Sequence, residues 1–454
     1  MKDMTTGPVR GHVLRMAAFM LVSMLVQTAY SLIDMFWVAR LGAQAAAAVG
    51  VASNLMFVVL ALSQALGVGT VALVSQSYGR KDEASVQRWF NQSLALSVLS
   101  GLLFAAIGFG MMRAYTDFMS GDAVTAELAR RFLAGFIPAM ALQFSMTGLG
   151  SSLRAIGTMK PGLYAQTGSV LLNMALAPVL IFGWLGAPAL GVLGGAMASL
   201  IAALASIAGL ALYLRRGSTY LRVNFTQWKP DLHGWKHMLL IGLPSGLEMV
   251  VTAIYVSLIF WVIRPFGADA QAGFGIGMRL MQTGFMPAMA LSFGAAAVVG
   301  QNVGARNFQR VKHTFYVSAR MCGIFMLGFT VLCQLSSGAM MQLMSHDAPV
   351  IAVGADYLKY ISWNYLANGL GFIAGGVFQG MGYTLPSLLA SAARMSTFVA
   401  SVLWLSHRPG FTLHQVWLTS IATVTLQVAI VLVLLRSELK RRLAGQTPLP
   451  ATPA

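Results

Sequence analysis

Residues 68–79 read VGTVALVSQSYG and residues 293–304 read FGAAAVVGQNVG, so Gly69, Ala72, Val74, Gln76 and Gly79 recur as Gly294, Ala297, Val299, Gln301 and Gly304. The same offset of 225 positions, without gaps, carries Gly42, Ala43, Ala45, Ala47 and Gly50 onto Gly267, Ala268, Ala270, Ala272 and Gly275, and Gly157 and Pro161 onto Gly382 and Pro386. Glycine and alanine are abundant, so chance supplies some of these matches. One register common to three separated stretches marks an internal duplication. What is duplicated is apolar: 57% of the 454 residues are hydrophobic and 9% charged, against about 25% charged in an ordinary globular chain. Apolar stretches near or above about 20 residues recur along the whole length, each able to cross roughly 30 Å of hydrocarbon. They leave no room for a soluble domain.

Twelve membrane helices are predicted, over residues 13–38, 46–74, 89–112, 132–150, 161–182, 190–214, 238–263, 272–299, 315–335, 351–378, 386–405 and 413–435. The fold class expected is therefore all-α integral membrane, with twelve transmembrane helices in two six-helix lobes. An even number of helices per repeat starts both lobes on the same face, which implies a pseudo-two-fold axis along the membrane normal. The lobes are residues 1–214 and 238–436, joined by a cytoplasmic linker (215–237) and followed by a cytoplasmic tail (437–454). Small residues four apart, at Gly191 and Gly195, Gly242 and Gly246, and Gly371 and Gly375, are expected to let helices approach closely.

The net charge of +17 is the usual footprint of nucleic-acid binding, but here topology accounts for it and no nucleic-acid partner is expected. Of the 30 Lys and Arg, 21 fall on loops and tails of one side, Arg80, Lys81, Arg215, Arg216 and 440–442 among them. Seven fall on the other side. By the positive-inside rule both termini are cytoplasmic. Trp37, Trp184, Trp261, Trp404 and Trp417 near outer ends, and Trp89 near an inner end, are expected as interfacial anchors. Cys322 and Cys333 lie eleven apart on one helix, about 16 Å along its axis, too far for a disulfide.

Four ionisable side chains lie inside predicted helices, where each is costly unless paired, hydrated or neutralised: Asp34, Glu248, Arg279 and Arg394. Asp34 follows Ser23, Gln27, Thr28, Tyr30 and Ser31 on the first helix, several of them spaced to share a face. It either belongs to a polar site there or reaches toward the nearby outer surface. Glu248 lies near the midplane, where a carboxyl carries a proton or pairs with a cation; Arg279 and Arg394, at similar depth, are its candidate charge partners. Asn364 and Asn368, one turn apart beside Trp363 and Tyr365, either line a cavity or bridge helices. The 28 Met residues suit an adaptable binding surface and equally a packed membrane core. No metal constellation is expected, since every His falls in a loop, tail or helix end. There is no Walker A sequence and no serine–histidine–aspartate arrangement, so an enzyme is not expected. An ion gradient is the expected energy source, and about 150 mV acting on one proton provides roughly 3.5 kcal/mol.

The segment LIDMFWVARLGAQAAAAVG, the pair SQSYG and GQNVG, the pair LRAIGTMKP and FQGMGYTLP, and NMALAPVLIFG, in this order and spacing, resemble the multidrug and toxic compound extrusion (MATE) family, in its bacterial DinF- and NorM-like branches. The resemblance covers nearly the whole chain. It implies a bacterial inner-membrane antiporter that exports small hydrophobic, often cationic, compounds against protons or sodium by alternating access, with no cofactor and as a monomer in the lipid bilayer. By resemblance Asp34 is the first-lobe carboxylate that binds the coupling ion, and Asn173 and Ser199 help line that site. Ala177 departs from the pattern, where many members carry Asp, which weakens a sodium site more than a protonation site. In the second lobe the NorM-type carboxylates are replaced by Thr252 and Asn368, with Glu248 one turn from Thr252. The first helix also lacks the proline that lets some members bend it. A flippase for a lipid-linked saccharide shares the two-lobed plan and is the alternative, against which twelve helices and only two intramembrane arginines argue.

Overall fold

The computed structural model describes residues 3–217 and 220–445. Lys2, residues 218–219 of the expected linker and residues 446–454 of the expected tail lie outside the described residues. All regular structure among the described residues is helical: α1 Val9–Ala39, α2 Ala43–Gly79, α3 Glu83–Met119, α4 Ala123–Ala155, α5 Lys160–Phe182, α6 Val192–Gly217, α7 Leu232–Ile263, α8 Ala268–Gly304, α9 Phe308–Gln342, α10 Ala348–Ile361, α11 Asn364–Met381, α12 Leu385–Ser406 and α13 Leu413–Leu443. Eleven segments are long and apolar enough to cross a membrane. The helix expected at 351–378 is divided into α10 and α11, so twelve crossings are built from thirteen helices.

That division has a physical cause outside the segment itself. At Ser362–Trp363 the ladder tightens to three-residue bonds, Trp363 N–H to Tyr360 O at 3.4 Å and Tyr365 N–H to Ser362 O at 3.0 Å. Polar side chains of α9 bind the carbonyls at the break: Gln334 donates to Lys359 O (2.7 Å) and Thr330 donates to Ser362 O (3.0 Å). A helix interrupted at membrane depth needs such partners, because no water replaces the missing bonds.

The duplication is visible in the backbone. Left-handed or otherwise positive φ occurs at Gly42 and Gly267 (103° and 97°), at Lys81 and Arg306 (60° and 56°) and at Gly157 and Gly382 (75° and 72°), each pair 225 apart. A non-glycine residue at positive φ is uncommon, so the second pair is the most telling. Both of these corners are followed by an N-cap of the same design, Asp82 accepting from Ser85 N–H and Asn307 accepting from Arg310 N–H.

Two compact units are present, one formed by Leu21–Gly246 and the other by Met4–Met20 with the described residues from Leu247 onward. In the first, the N-terminal part of α7 lies against α2 so closely that a Cβ on Gly242 would stand 1.7 Å from Ala65 O and one on Gly246 2.6 Å from Ala61 O. In the second, the N-terminal part of α1 makes the corresponding contact with α8, where a Cβ on Gly294 would meet Met16, Ala17 and Val13 at 3.1–3.2 Å. Gly242 and Gly246 thus do what their spacing suggested. The other two pairs do not: the closest approaches fall on other glycines, at Gly194 against Leu180 O (2.3 Å), and at Gly376 and Gly380 against Ser292 O and Ala296 O (2.4 Å each), whereas a Cβ on Gly195 or Gly375 would meet nothing closer than 3.6 Å and one on Gly371 only the Val428 side chain at 3.3 Å.

Amide side chains hold chain segments in place in both units. In the second unit Gln301 accepts from Met4 N–H (2.9 Å), Asn302 donates to Met4 O (3.2 Å), and Arg310 donates to Thr6 O and Gly7 O (2.8 and 2.6 Å). In the first unit the segment that follows α6 is bound by Asn91, which donates to Arg222 O and accepts from Asn224 N–H, and by Gln92, which donates to Gln227 O and Lys229 O. Asp231 closes this attachment, capping α7 through Gly234 N–H (2.9 Å) and pairing with Arg88 (2.9 Å). The Gly234 N–H, and after it Arg88, hold the Asp231 carboxyl below the usual carboxylate range against the opposing effect of burial.

Trp417 and Trp89 are not interfacial anchors. Trp417, 1% exposed, stacks on Phe274 and meets Tyr357 edge-on inside the second unit, and Trp89 belongs to the apolar core of the first. Large apolar side chains such as Leu32, Met35, Leu102, Leu185 and Val433 are instead exposed, as suits surfaces facing lipid. Cys322 and Cys333 are free and buried.

Candidate functional site

In the first unit, the polar residues of α1 divide by what they reach. Thr28 and Ser31 turn their hydroxyls onto their own helix, bonding Met24 O and Gln27 O. Gln27 and Tyr30 bond other helices: Gln27 Oε1 accepts from Gln166 of α5 (3.1 Å), and the Tyr30 hydroxyl meets Ser199 Oγ of α6 (2.8 Å). Ser199 in turn accepts from Asn173 Nδ2 of α5 (3.2 Å) and donates to Gly195 O (3.2 Å). A serine hydroxyl has one proton, so Tyr30 is the donor in its bond to Ser199.

Asn173 and Ser199, which resemblance assigns to the ion site, therefore meet in a buried cluster, and Tyr30 is the member the resemblance did not name. Tyr30 sits four residues before Asp34, which places the phenol and the carboxylate on one face of α1. Asp34 is half-buried, and no protein group hydrogen-bonds its carboxylate among the described residues. Ala177, fully buried one turn beyond Asn173, offers no oxygen. The arrangement is one carboxylate beside a cluster in which the two hydroxyls and the Asn173 amide nitrogen are already bonded to one another.

In the second unit, Glu248 of α7 accepts from Ser391 Oγ of α12 (2.9 Å). Neither Arg279 nor Arg394 forms an ion pair with it among the described residues. Arg279 is exposed. Arg394 of α12 donates to Gln427 Oε1 of α13 (3.2 Å), and Gln427 Nε2 donates to Ser391 Oγ (2.8 Å), so Arg394 and Glu248 are linked through two neutral side chains. The guanidinium also lies 4.2 Å from the centre of the Tyr255 ring. Ser391 stands three residues before Arg394 on one face of α12, and Gln427 is a lone amide in an otherwise apolar run of α13. Those were the available signals for two residues that reading the sequence missed.

Thr252 is exposed and its hydroxyl bonds Glu248 O of its own helix (2.8 Å). Asn364 begins α11, is 2% exposed and leaves its Oδ1 without a partner, while Asn368, one turn on, is half-buried. The structure thus joins Asn173 and Ser199 in one unit, with Asp34 one turn from the Tyr30 that bonds Ser199, and links Glu248 to Arg394 through Ser391 and Gln427 in the other; Thr252 reaches only the main-chain carbonyl of Glu248, and among the described residues the side chains of Asn364, Asn368 and Arg279 bond neither cluster. No group of three or more His, Cys, Asp or Glu placed to hold a metal occurs among the described residues.

Comparison with known proteins agrees with this architecture. The MatE family model matches residues 20–179 and 244–405, one match in each repeat. A probable multidrug resistance protein of Bacillus subtilis, YoeA, is 27% identical over 407 residues, covering 88% of this chain and 87% of its own. A probable multidrug resistance protein NorM of Agrobacterium fabrum is 26% identical over 424 residues, covering 90% of each. A crystal structure of a MATE protein in the bent conformation superposes with a TM-score of 0.91 at 21% identity, over 98% of each chain. With the duplicated helical fold and matches across both repeats, this chain is a multi-pass membrane transporter belonging to the multidrug and toxic compound extrusion family.

Proposed function

We propose that this protein exports small hydrophobic, cationic compounds in exchange for protons, by alternating access, from the inner membrane of a bacterium with both termini in the cytoplasm. The observation that carries the coupling is the Asp34 carboxylate, hydrogen-bonded by no group among the described residues and set one turn from Tyr30, whose hydroxyl belongs to the Ser199–Asn173 cluster. A carboxylate among apolar helices is costly when charged and unpaired. Binding a proton removes that cost with a single atom. A sodium ion needs several oxygens at once, and Ala177 supplies none while Ser199 already accepts two bonds and donates a third. Protons are therefore favoured over sodium as the coupling ion.

Glu248 serves as a second titrating group or as the partner of a cationic substrate, in the lobe whose sequence counterpart of Asp34 is Ile259. Residues 1–214 and 238–436 are the two lobes of the cycle, and the protein works as a monomer. The names of the relatives, multidrug resistance proteins, support small drug-like substrates for this chain as well. The reading is tested by ethidium transport in proteoliposomes with Asp34→Asn. Loss of transport driven by a pH gradient, with protein yield and unfolding temperature unchanged, is expected. Normal transport by the variant removes Asp34 from the coupling site.

A further inference from the structure

The row Arg394–Gln427–Ser391–Glu248 has a direction fixed from one end. Arginine carries donors and no acceptor, so only the carbonyl oxygen of Gln427 can face it, as it does at 3.2 Å. That leaves the amide nitrogen of Gln427 for Ser391, to which it donates at 2.8 Å. With its oxygen accepting, Ser391 has one proton left, and it points to Glu248 Oε1 at 2.9 Å. Arg394 needs no carboxylate to stay in place: its guanidinium covers the Tyr255 ring, and the Tyr255 hydroxyl bonds Ser420 of α13 at 2.9 Å. Among the described residues, the titratable groups around this row are Arg394 on α12, Tyr255 on α7 and Tyr357 of α10, which interacts electrostatically with Arg394; Arg279 of α8 is exposed and bonds no member of the row.

We propose that Arg394, Gln427 and Ser391 are positioning residues that keep a hydrogen-bond donor aimed at Glu248 and so set the pH at which Glu248 exchanges its proton during transport. This rests on the reading of Glu248 as a group that titrates in the cycle. A hydrogen bond donated to a carboxylate favours its charged form. Remove Arg394, and the Gln427 amide is free to turn its oxygen toward Ser391. The serine then donates to the amide, and Glu248 faces an acceptor that suits its protonated form. The charge of Arg394 thus reaches Glu248 as the orientation of two neutral side chains. An exporter gains from this arrangement a carboxylate that is poised by a distant cation yet stays free to release its proton or meet a cationic substrate.

The test is the pH profile of ethidium transport by the full-length protein in proteoliposomes. Glu248→Gln comes first. If it leaves the profile unchanged, Glu248 does not titrate in the cycle, and the proposal falls together with that reading. If it removes an inflection, the inflection belongs to Glu248. Ser391→Ala and Arg394→Met are then each expected to move that inflection to higher pH by about one to two units, the range of a hydrogen bond to a charged group. Gln427→Leu, which offers the serine proton no rival acceptor, leaves the inflection near its place and brings it back there in the double variant with Arg394→Met, and Ser391→Thr, which keeps the hydroxyl, leaves it in place. An inflection that Arg394→Met moves equally with and without Gln427→Leu means that Arg394 acts through space and overturns the relay alone. Ser391→Ala deletes a single atom and decides the matter if the larger replacements do not fold: an unmoved inflection there refutes the proposal by itself.

Discussion

Replacing Gly242 by alanine tests whether the close approach of α7 to α2 is a requirement of the fold. The new Cβ would lie 1.7 Å from Ala65 O and 2.6 Å from its carbonyl carbon. Carbon–oxygen contact closes at about 3.3 Å, so the two backbones have to separate by roughly 1.5 Å. No side chain can turn away to relieve this, because the opposing atoms belong to the main chain. Overpacking costs about 1–3 kcal/mol where side chains absorb it and more where they cannot; the gain in helix propensity from glycine to alanine offsets at most about 1 kcal/mol. A net loss of about 3 kcal/mol is expected. It is measured as thermal unfolding of the purified protein in detergent, beside Gly375→Ala, whose Cβ would meet nothing closer than Ser387 Oγ at 3.8 Å. Gly242→Ala is expected to unfold several degrees below the parent protein and Gly375→Ala at or slightly above it. Equal unfolding temperatures for the two variants refute the packing argument.

Three further outcomes follow from other parts of the molecule. Glu438 and Arg442, 8% and 7% exposed and bonded at 2.7 Å near the end of α13, form a buried pair, so Glu438→Ala is expected to cost about 3–5 kcal/mol by leaving the guanidinium unpaired; replacing both by apolar residues recovers most of that in the same unfolding assay, and equal losses in the single and double variants contradict it. For Asp231 the folded carboxyl is held below its unfolded value of about 3.9, so its contribution is fully present above that pH and is lost as pH falls through the lower, folded value. Asp231→Ala should therefore unfold at a lower temperature than the parent at pH 7, by the roughly 1 kcal/mol of a lost cap, and the gap should narrow toward pH 3; a gap that widens on acidification contradicts the assignment. Tyr30→Phe removes the phenol's proton from Ser199 and is expected to shift the pH dependence of ethidium transport while leaving the unfolding temperature within about 1 kcal/mol of the parent, the worth of a single neutral hydrogen bond; an unshifted profile takes Tyr30 out of the coupling site.

What could be read from the sequence was what repeats locally or at a fixed offset. The apolar segments, the 225-residue register and the i, i+4 placement of Tyr30 and Asp34 are properties of single helices or of exact duplication, and the order of residues along the chain reveals them. The division of α10 from α11 was hidden because its cause lies on α9, in Thr330 and Gln334. Glycine spacing misplaced two contacts by one residue, since adjacent glycines such as Gly194 and Gly195 differ only in the direction a Cβ would point. Trp417 looked like an interfacial anchor from its position near a helix end, but its ring is taken up by Phe274 and Tyr357 from other helices. Glu248 and Arg394 stood out as intramembrane charges; the serine and glutamine between them, at positions 391 and 427, are neutral residues far apart in the chain and acquire meaning only once α7, α12 and α13 are packed. Asn173 and Ser199 came by family resemblance, and packing then showed the hydrogen bonds that join them to Tyr30.

The central claim is proton-coupled export, and it is met most directly by one measurement: ethidium movement in proteoliposomes containing the full-length protein, with a pH gradient and a sodium gradient imposed separately. The account predicts movement driven by the pH gradient, abolished by a protonophore and by Asp34→Asn, with no response to sodium. Movement driven by the sodium gradient alone, or a pH-driven rate that Asp34→Asn leaves unchanged, contradicts it.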